Sequence, residues 1–314
     1  MTGNDSGRDL EQKPADSVPF ALIDQILPSR FRPYARLARF DRPIGWWLLL
    51  LPCWWSSALA SAAGGAAPEL RHFVLFLVGA IVMRGAGSTW NDIVDRDLDG
   101  KVARTRGRPI PSGAVTAKQA GLFMALLVLL GLAILLTFNR FTIALGFISL
   151  APVAIYPFMK RFTNHPQIVL GLAFAWGGLM GWAAVFGALA APAYLIYAAA
   201  IFWTIGYDTI YALQDREDDA MIGIGSSALT LGKHVKAGVA AFYGGAVALW
   251  ALAFWLLRPD WIALLALLPA ALHLGWQVVR LGDVSPQNTL MLFRANRSAG
   301  LLMFAACAVT GFGA

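Results

Sequence analysis

The sequence predicts an all-α integral membrane protein with nine transmembrane helices, and three observations support this prediction. Hydrophobic residues make up 58% of the 314 residues and charged residues only 14%, whereas soluble globular proteins carry about 25% charged residues. Long apolar runs recur along the chain, and basic residues cluster in alternate connections between them. This composition excludes a soluble enzyme, and the 12% of aromatic residues excludes a disordered chain.

Nine segments approach the ~20 apolar residues that a helix needs to cross a bilayer. In chain order, the predicted spans are Ile44–Ala60, His72–Trp90, Ala120–Phe138, Phe141–Phe158, Ile168–Ala188, Ala191–Leu213, Ala237–Leu257, Trp261–Val279 and Ala299–Phe312. No segment shows the period of a β-strand, and a helix satisfies its own backbone groups in lipid. Residues 1–35 form a predicted polar cytoplasmic segment, so the membrane-embedded domain is predicted at residues 36–314.

The basic residues predict how the helices are oriented in the membrane. Of the 25 Lys and Arg residues, 21 precede the first span or lie in connections on the same side of the membrane. Because cytoplasmic loops carry an excess of Lys and Arg, the N-terminus is predicted to be cytoplasmic. The net charge of +7 then reflects membrane topology, and no nucleic-acid partner is expected. The acidic residues within the first 30 positions are unlike a transit peptide, which favours a bacterial inner (plasma) membrane over the mitochondrial inner membrane.

The acidic residues concentrate in two short windows, which hold half of the 18 Asp and Glu residues. In the first window, at the end of the second span, Asn91, Asp95 and Asp99 are spaced i, i+4, i+8, which is one face of a continuing helix. In the second, at the end of the sixth span, one helical face is predicted to hold Asp208, Tyr211, Asp215 and Asp219. Stacked carboxylates repel each other unless a cation neutralises them. If two such faces oppose each other, their oxygen atoms offer ligands for divalent cations. The pattern therefore predicts bound Mg²⁺ that also contacts the phosphates of a substrate.

The basic residues near these windows suit a diphosphate substrate. A basic run follows the first window directly and includes Lys101, Arg104 and Arg108. Such donors neutralise a diphosphate as it leaves the substrate. Arg84 differs, because it lies inside an apolar span, where an unpaired guanidinium is costly. It is predicted to face the interior and to meet Asp208, another acidic residue or an anionic substrate group such as a carboxylate.

These residues together resemble the UbiA-type intramembrane aromatic prenyltransferases over nearly the whole chain after the first 35 residues. The motifs that carry the resemblance are Asp41–Gly45, Met83–Gly87, Asn91–Asp99, Arg108–Gly113, Tyr156–Arg161 and Asp208–Asp219. Two long motifs in the right order and spacing are highly specific for this superfamily. The details are most similar to the members that attach a polyprenyl chain to 4-hydroxybenzoate in ubiquinone biosynthesis. One departure is Gly225, where the family often has a lysine.

The resemblance implies nine helices around a central, lipid-accessible cavity that binds a polyprenyl diphosphate and 4-hydroxybenzoate. It implies that one Mg²⁺ ion is held by Asn91, Asp95 and Asp99 and a second by Asp215 and Asp219. The implied catalytic acids are Asp95, Asp99, Asp208, Asp215 and Asp219. The implied substrate-binding residues are Arg84, at the carboxylate of the acceptor, and Lys101, Arg104, Arg108, Tyr156, Lys160, Arg161 and Tyr211.

Two alternative functions remain at this point. Another member of the superfamily would prenylate homogentisate, a naphthoate, or a haem or chlorin acceptor, and Arg84 favours an acidic aromatic acceptor among these. A cation-coupled transporter would instead place charges near the bilayer midplane and break its spans at matching positions in both halves. The two acidic windows lie at the ends of spans, which suits a headgroup site better than a transport pathway.

Overall fold

The computed structural model describes residues 25–100, 105–159, 161–216, 220–221, 223 and 225–310. Over these ranges the secondary structure is helical, and no β-strand is present. The α-helices are α1 (Arg32–Leu37), α2 (Ile44–Ala63), α3 (Leu70–Asp99), α4 (Ala117–Leu135), α5 (Arg140–Ile148), α6 (Leu150–Met159), α7 (Pro166–Phe174), α8 (Gly177–Phe186), α9 (Ala191–Ala212), α10 (Ser227–Leu231), α11 (Val235–Leu257), α12 (Trp261–Ala266), α13 (Leu268–Arg280) and α14 (Pro286–Thr310). Short 3₁₀ turns occupy Ser29–Phe31, Leu213–Asp215 and Gly232–His234.

The protein is a multi-pass membrane protein, as predicted. In the part of the chain that the structure describes, eight helical segments are long and apolar enough to cross a membrane. They overlap the first eight predicted spans and are Ile44–Ala63, Leu70–Asp99, Ala117–Leu135, Arg140–Met159, Pro166–Phe186, Ala191–Ala212, Ser227–Leu257 and Trp261–Arg280. The ninth predicted run is helical as far as Thr310, within α14, and its last two residues lie outside the described part of the chain. It is not among the eight, because the helix begins at Pro286 and its first half carries Arg294, Asn296 and Arg297.

Several of these spans consist of two consecutive helices, and the local sequence explains three of the breaks. Pro152 follows the break between α5 and α6, and Pro269 follows the break between α12 and α13. A proline has no N–H to donate to the carbonyl four residues earlier, so the helical ladder is interrupted there. The break between α7 and α8 precedes Gly177 and Gly178, which are weak helix formers.

The described chain divides into two compact units. The first consists of Met1–Pro43 and Val82–Leu130, and the second of Ile44–Ile81 and Gly131–Ala314. In the first unit a small core forms around Leu37, Val115 and Ala120. The first unit therefore contains the first acidic window, and the second unit contains the second window.

The core of the second unit is built around three fully buried tryptophans. The ring of Trp55 lies 4.9 Å from Trp203 and 5.3 Å from Trp250, centroid to centroid. The indole N–H of Trp55 donates to the Gly300 carbonyl at 2.7 Å. A buried indole usually has such a partner, whereas Trp250 Nε1 has none among the described residues. The ring contacts among the three tryptophans show that they serve packing.

Helices α2 and α8 pack closely because glycines line α8 where they meet. A Cβ added to Gly177 would lie 2.6 Å from Cys53 Sγ, and one added to Gly181 would lie 2.7 Å from the Ser57 nitrogen. Small residues at such contacts let two helix backbones approach closely in a membrane. Ser56 Oγ donates across the same contact to the Gly178 carbonyl at 2.5 Å.

Helix α4 shows a surface that suits lipid rather than water. Leu122, Leu126 and Leu129 recur on one helical face and are 74%, 54% and 62% exposed. A contiguous apolar patch of this kind is rare on soluble monomers. In a membrane, this apolar face would contact the hydrocarbon chains of lipids.

Asp260 starts α12 and illustrates how the helix ends outside the apolar segments are capped. Its side chain accepts a hydrogen bond from the Ala263 N–H at 2.8 Å and pairs with Arg258. These bonds to the charged form, the backbone bond first, lower the pKa of the Asp260 carboxyl below its usual value. The cap is therefore strongest above the ordinary Asp range and is lost as the carboxyl protonates on acidification.

Candidate active site

Helix α3 carries the first acidic window on a continuous α-helix. The helix extends to Asp99, so the predicted spacing of Asn91, Asp95 and Asp99 on one face is confirmed. Asn91 Nδ2 donates to Asp95 Oδ2 at 3.2 Å. Asp95 is 4% exposed and Asp99 7%, so these carboxylates lie at a buried position where each charge needs a partner.

Asp92 is the most deeply buried acid of this window, and it is not part of the predicted set. It is fully buried, and its Oδ1 accepts from Arg39 Nη2 at 2.6 Å and from Arg108 Nη1 at 3.2 Å. Its Oδ2 has no hydrogen-bond partner among the described residues. Two guanidinium groups therefore neutralise a carboxylate that solvent does not reach.

Arg108 joins Asp92 to the last acid of the window. Its Nη1 also donates to Asp99 Oδ2 at 2.7 Å. The loop that carries it is anchored by Thr105, whose hydroxyl donates to the backbone carbonyl of Asp99 at 2.9 Å. The Arg108 N–H then donates to the Thr105 carbonyl at 2.9 Å. The loop thus returns a cation to the end of α3, where a cation also interacts favourably with the helix dipole.

The turn after α1 positions Arg39. The Phe40 N–H donates to the Ala35 carbonyl and the Arg39 N–H to the Arg36 carbonyl, which is the Schellman arrangement of a helix C-terminus. Its central residue adopts a left-handed conformation and is usually glycine. Here it is Arg39, with φ +58°.

Close packing on α3 places this turn above the acidic window. Ser88 Oγ donates to the Leu37 carbonyl at 2.7 Å. A Cβ added to Gly85 would lie 3.1 Å from the Ala38 Cβ, so a larger residue there would push the turn outward. Gly85 and Ser88 lie along the same helix as Asp92, which explains how a turn 53 residues away reaches that acid.

The side chains at the end of α3 offer some, but not all, of the ligands that a magnesium ion needs. No cluster of three or more His, Cys, Asp or Glu side chains that would hold a metal was found in the described ranges. The Asn91 and Asp95 pair offers an amide and a carboxylate oxygen on adjacent turns. Magnesium usually takes one or two carboxylates and completes its octahedron with water and substrate phosphates. A metal site that substrate completes is therefore compatible with this donor set.

Arg84 lies on α3, seven residues before Asn91. It is half-buried, although the helix around it is apolar. Its position, two turns before Asn91 on the same helix, agrees with the predicted placement on the face of the acidic ladder.

The second window departs from the predicted helical face. Helix α9 ends at Ala212 and is followed by the 3₁₀ turn Leu213–Asp215. Because a 3₁₀ turn has three residues per turn rather than 3.6, the α-helical spacing rule does not extend from Asp208 to Asp215. Asp208 and Tyr211 lie on α9 and are half-buried, and the Tyr211 ring lies 4.6 Å from that of Phe293. The side chain of Asp215 and the whole of Asp219 lie outside the described residues.

Two of the remaining predicted phosphate-binding residues lie in or just after α6. Tyr156 is half-buried on α6, and Arg161 is exposed just beyond the end of that helix. Predicted residues that lie outside the described part are Lys101, Arg104 and Lys160.

Gly225 has a packing reason to lack a side chain. A Cβ at this position would lie 2.8 Å from the Asn164 Cα, which is too close for any residue other than glycine without a shift of the backbone. The neighbouring Ser227 N–H donates to Gln167 Oε1 at 3.1 Å, and this bond fixes the following segment. A lysine at 225 would therefore displace the loop that follows Arg161.

Sequence reasoning missed Asp92 and Arg39 as site residues. Asp92 precedes Asp95 by three residues and Asp99 by seven, so it also satisfies helical spacing, and this signal was available. Arg39 gave no comparable signal, because it is one of several arginines in a basic segment.

Comparison with known proteins identifies the family. A model of the UbiA prenyltransferase family matches residues 49–309. The chain belongs to the UbiA prenyltransferase family. Within the family, it is 44% identical over 291 residues to a mitochondrial 4-hydroxybenzoate polyprenyltransferase of Aedes aegypti, with 91% of this chain and 64% of the relative covered. It is 42% identical to the 4-hydroxybenzoate octaprenyltransferase of Azotobacter vinelandii, with 85% of this chain and 90% of the relative covered. The chain thus spans somewhat less than two thirds of the mosquito relative.

Solved structures of UbiA homologues share the fold. An apo structure of a homologue from Aeropyrum pernix K1 matches with a TM-score of 0.69 and 26% identity, and covers 84% of this chain and 97% of that one. A homologue from Archaeoglobus fulgidus bound to GPP and Mg2+ matches with a TM-score of 0.66 and 22% identity, over 88% and 99% of the two chains. The all-α membrane architecture predicted for the family is therefore confirmed.

Proposed function

We propose that this UbiA-family enzyme transfers a polyprenyl chain from an allylic diphosphate to 4-hydroxybenzoate. The new bond forms at the ring carbon ortho to the hydroxyl, and diphosphate is released, as a step of ubiquinone biosynthesis. The observation that carries the proposal is the ladder of Asn91, Asp95 and Asp99 at the end of a membrane-spanning helix, in which both carboxylates are buried. The names of relatives 41–44% identical to this chain support the choice of acceptor.

Magnesium is part of the proposal. Asn91, Asp95 and Asp99 would hold one ion, and Asp215 and Asp219 a second. When bound, the ions supply positive charge that stabilises the diphosphate as a leaving group. A homologue of the same fold, bound to GPP and Mg2+, supports this assignment.

The residues of the chain then act on charge as it develops. When the bond between the allylic carbon and the diphosphate oxygen breaks, its electron pair stays on the diphosphate, and the basic residues near the ladder bind that anion. Arg108 lies at the ladder already, and Lys101, Arg104, Tyr156, Lys160, Arg161 and Tyr211 are proposed to share the task. Preorganised donors of this kind lower the barrier because they need no reorganisation.

The acceptor attacks in an environment that excludes water. Arg84 is proposed to bind the carboxylate of 4-hydroxybenzoate, since guanidinium and carboxylate form paired hydrogen bonds. The ring carbon ortho to the phenol hydroxyl then bonds to the allylic carbon, and a base takes up the ring proton, while Asp208 remains one of the proposed catalytic acids. A lipid-embedded site suits this step, because water would otherwise capture the allylic cation.

We further propose a bacterial inner membrane as the location, with the N-terminus and the acidic windows on the cytoplasmic side. The distribution of Lys and Arg, 21 of 25 on one side, supports this orientation.

The test is a prenylation assay with membranes that contain the full chain. Labelled 4-hydroxybenzoate, a series of prenyl diphosphates, and either Mg²⁺ or a chelator are supplied, and lipid-soluble product is measured. We expect product only with Mg²⁺, and a loss of about 100-fold or more in Asp95→Asn. Asp97→Asn is the matched control, because Asp97 lies on the same helix but its side chain is 84% exposed and pairs only with neighbouring Arg96 in the described structure.

Other outcomes would assign the chain differently. Turnover of homogentisate, a naphthoate or a haem precursor in place of 4-hydroxybenzoate would indicate another reaction of the family. Mg²⁺-independent product, or full activity in Asp95→Asn, would contradict the metal assignment. Absence of any prenylated product, together with cation-dependent solute uptake into vesicles, would favour a transporter.

A further inference from the structure

We propose that Asp92 and Arg39 are positioning residues, which hold Arg108 and Asp99 in the arrangement that the prenyl transfer requires without touching substrate themselves. This inference rests on the proposed function, because it assigns a role relative to the same diphosphate and metal site. It concerns four side chains within the first compact unit.

The burial of Asp92 is the first reason. A carboxylate removed from water is costly unless it is paired, and removal of one partner from a buried ion pair is more costly than removal of both. Asp92 is fully buried, and Arg39 and Arg108 both donate to its Oδ1. These two guanidinium groups are the partners that its burial requires.

The conformation of Arg39 is the second reason. A residue with φ +58° at a helix C-terminus is usually glycine, since a Cβ is strained there. Arginine at this position gives up backbone stability but supplies a guanidinium that lies 2.6 Å from Asp92 and also donates to the Arg36 carbonyl. Strain of this kind persists where the surroundings hold it, and it clusters at functional sites.

The sharing of Arg108 links this pair to the predicted metal ligands. The same nitrogen, Nη1, donates to Asp92 at 3.2 Å and to Asp99 at 2.7 Å. Asp92 therefore fixes the guanidinium that orients the Asp99 carboxylate. Without Asp92, Nη1 of Arg108 loses one of the two carboxylates to which it donates, so its contact with Asp99 is no longer balanced and draws that carboxylate away from a metal. Residues behind a metal ligand commonly change metal affinity by 10–100-fold.

Arg39→Gly separates a role in folding from a role in positioning. Glycine suits the left-handed turn better than arginine, so the backbone of the turn is retained. The variant nevertheless leaves Asp92 with one cation less. The double variant Arg39→Gly/Asp92→Asn removes the buried charge as well, and it therefore regains thermal stability relative to Arg39→Gly.

The experiment uses the purified full chain in nanodiscs. Mn²⁺ binding in the presence of inorganic pyrophosphate is measured by EPR, the melting temperature is measured without ligands, and KM is measured for both substrates. In Asp92→Asn and in Arg39→Gly we expect the half-saturating Mn²⁺ concentration to rise by about 10-fold, with an unchanged KM for 4-hydroxybenzoate. The double variant is expected to regain melting temperature but not Mn²⁺ affinity, and Asp97→Asn is expected to match the wild type.

Two results would overturn the inference while the proposed function stands. One is wild-type Mn²⁺ affinity in both Asp92→Asn and Arg39→Gly. The other is recovery of Mn²⁺ affinity together with melting temperature in the double variant, which would make the ion pair purely structural. A wild-type protein that neither binds Mn²⁺ with pyrophosphate nor prenylates 4-hydroxybenzoate would overturn the proposed function, and this inference with it.

Discussion

Individual charged residues within the apolar helices are the most informative features of this chain at the residue scale. A guanidinium or carboxylate within a membrane helix is costly, so it is retained where it pairs with another group or meets a ligand. Asp92 illustrates pairing, because it is fully buried against two arginines. Arg84, half-buried two turns before Asn91, is the residue we assign to a ligand.

Substitution of Arg84 is expected to weaken binding of the aromatic acid selectively. In Arg84→Ala, the KM for 4-hydroxybenzoate should rise about 10–100-fold, because a charge-assisted hydrogen bond contributes about 1.5–3 kcal/mol. The KM of Arg84→Lys for 4-hydroxybenzoate should lie between those of the wild type and Arg84→Ala, since lysine keeps the charge but cannot form the bidentate hydrogen bonds of arginine. Steady-state kinetics with each substrate varied in turn would measure this.

The control for that prediction is Arg71→Ala. Arg71 is on the same helix but exposed, and it donates only to the Thr137 carbonyl in the described structure. An equal rise in KM for the prenyl diphosphate in Arg84→Ala would show that Arg84 does not serve the acceptor alone.

At the scale of helices, glycines determine how closely neighbours approach. Helix α8 meets α2 through Gly177 and Gly181, where an added Cβ would overlap atoms of Cys53 and Ser57. Since association in lipid depends on van der Waals packing rather than on the hydrophobic effect, loss of this contact has no compensating force.

Gly181→Leu should therefore destabilise the second unit. We expect the free energy of unfolding to fall by about 3 kcal/mol, measured as denaturant unfolding in detergent micelles. Gly244→Ala is the matched control, because a Cβ at this helical glycine meets nothing within 4 Å. It should be neutral or slightly stabilising, as alanine favours the helix. Equal stability of the two variants would contradict a packing role for Gly181.

A buried polar network links helices α9, α11, α13 and α14 of the second unit. Asn296 on α14 accepts from the Trp203 indole of α9 at 2.8 Å and from the Tyr243 hydroxyl of α11 at 3.2 Å, and it donates to Gln277 of α13 at 3.0 Å. Asn296 and Gln277 are both 0% exposed. Asn296 therefore anchors α14 to the core of the second unit through hydrogen bonds, although Arg294 and Arg297 beside it are exposed.

In Asn296→Ala, the Trp203 indole, the Tyr243 hydroxyl and the Gln277 amide oxygen should each lose one hydrogen-bond partner. Interhelical hydrogen bonds in membranes contribute about 0.6–2 kcal/mol each, so we expect a loss of about 2 kcal/mol in thermal or denaturant unfolding. Gln287→Ala, at an exposed position of the same helix, serves as the control. A loss in Asn296→Ala no greater than in Gln287→Ala would exclude a stabilising network.

For the whole molecule, the distribution of charge predicts the orientation in the membrane. Lys118 lies just after the start of α4 and Glu69 just before α3. The two residues are predicted to lie on opposite sides of the membrane, so each is replaced by cysteine in a separate variant. A membrane-impermeant maleimide should label Lys118→Cys in inverted vesicles and Glu69→Cys in right-side-out vesicles.

The unsubstituted protein provides the background for this labelling. Cys307 is fully buried and Cys53 is partly buried, so weak labelling is expected from both. The reverse pattern of labelling would invert the predicted topology and place the acidic windows on the other side.

The helices were predictable because their signals are local. An apolar run of about 20 residues indicates a spanning helix wherever it occurs, and the spacing of Asn91, Asp95 and Asp99 indicates one face wherever the helix continues. The end of α9 at Ala212 was not predictable, because the acidic residues after it are compatible with either an α-helix or a 3₁₀ turn.

The sequence alone determined the all-α membrane class, the spans, and the acidic ladder of α3, since each depends on residues within a few turns of one another. Only the tertiary structure decided which arginines neutralise which acids. Arg39 and Asp92, for example, are 53 positions apart. The close contact between Asn164 and Gly225 likewise joins residues that are distant in the chain. Burial requires that each acid has a cation partner, but only the folded chain selects which arginine it is, because several arginines precede α3.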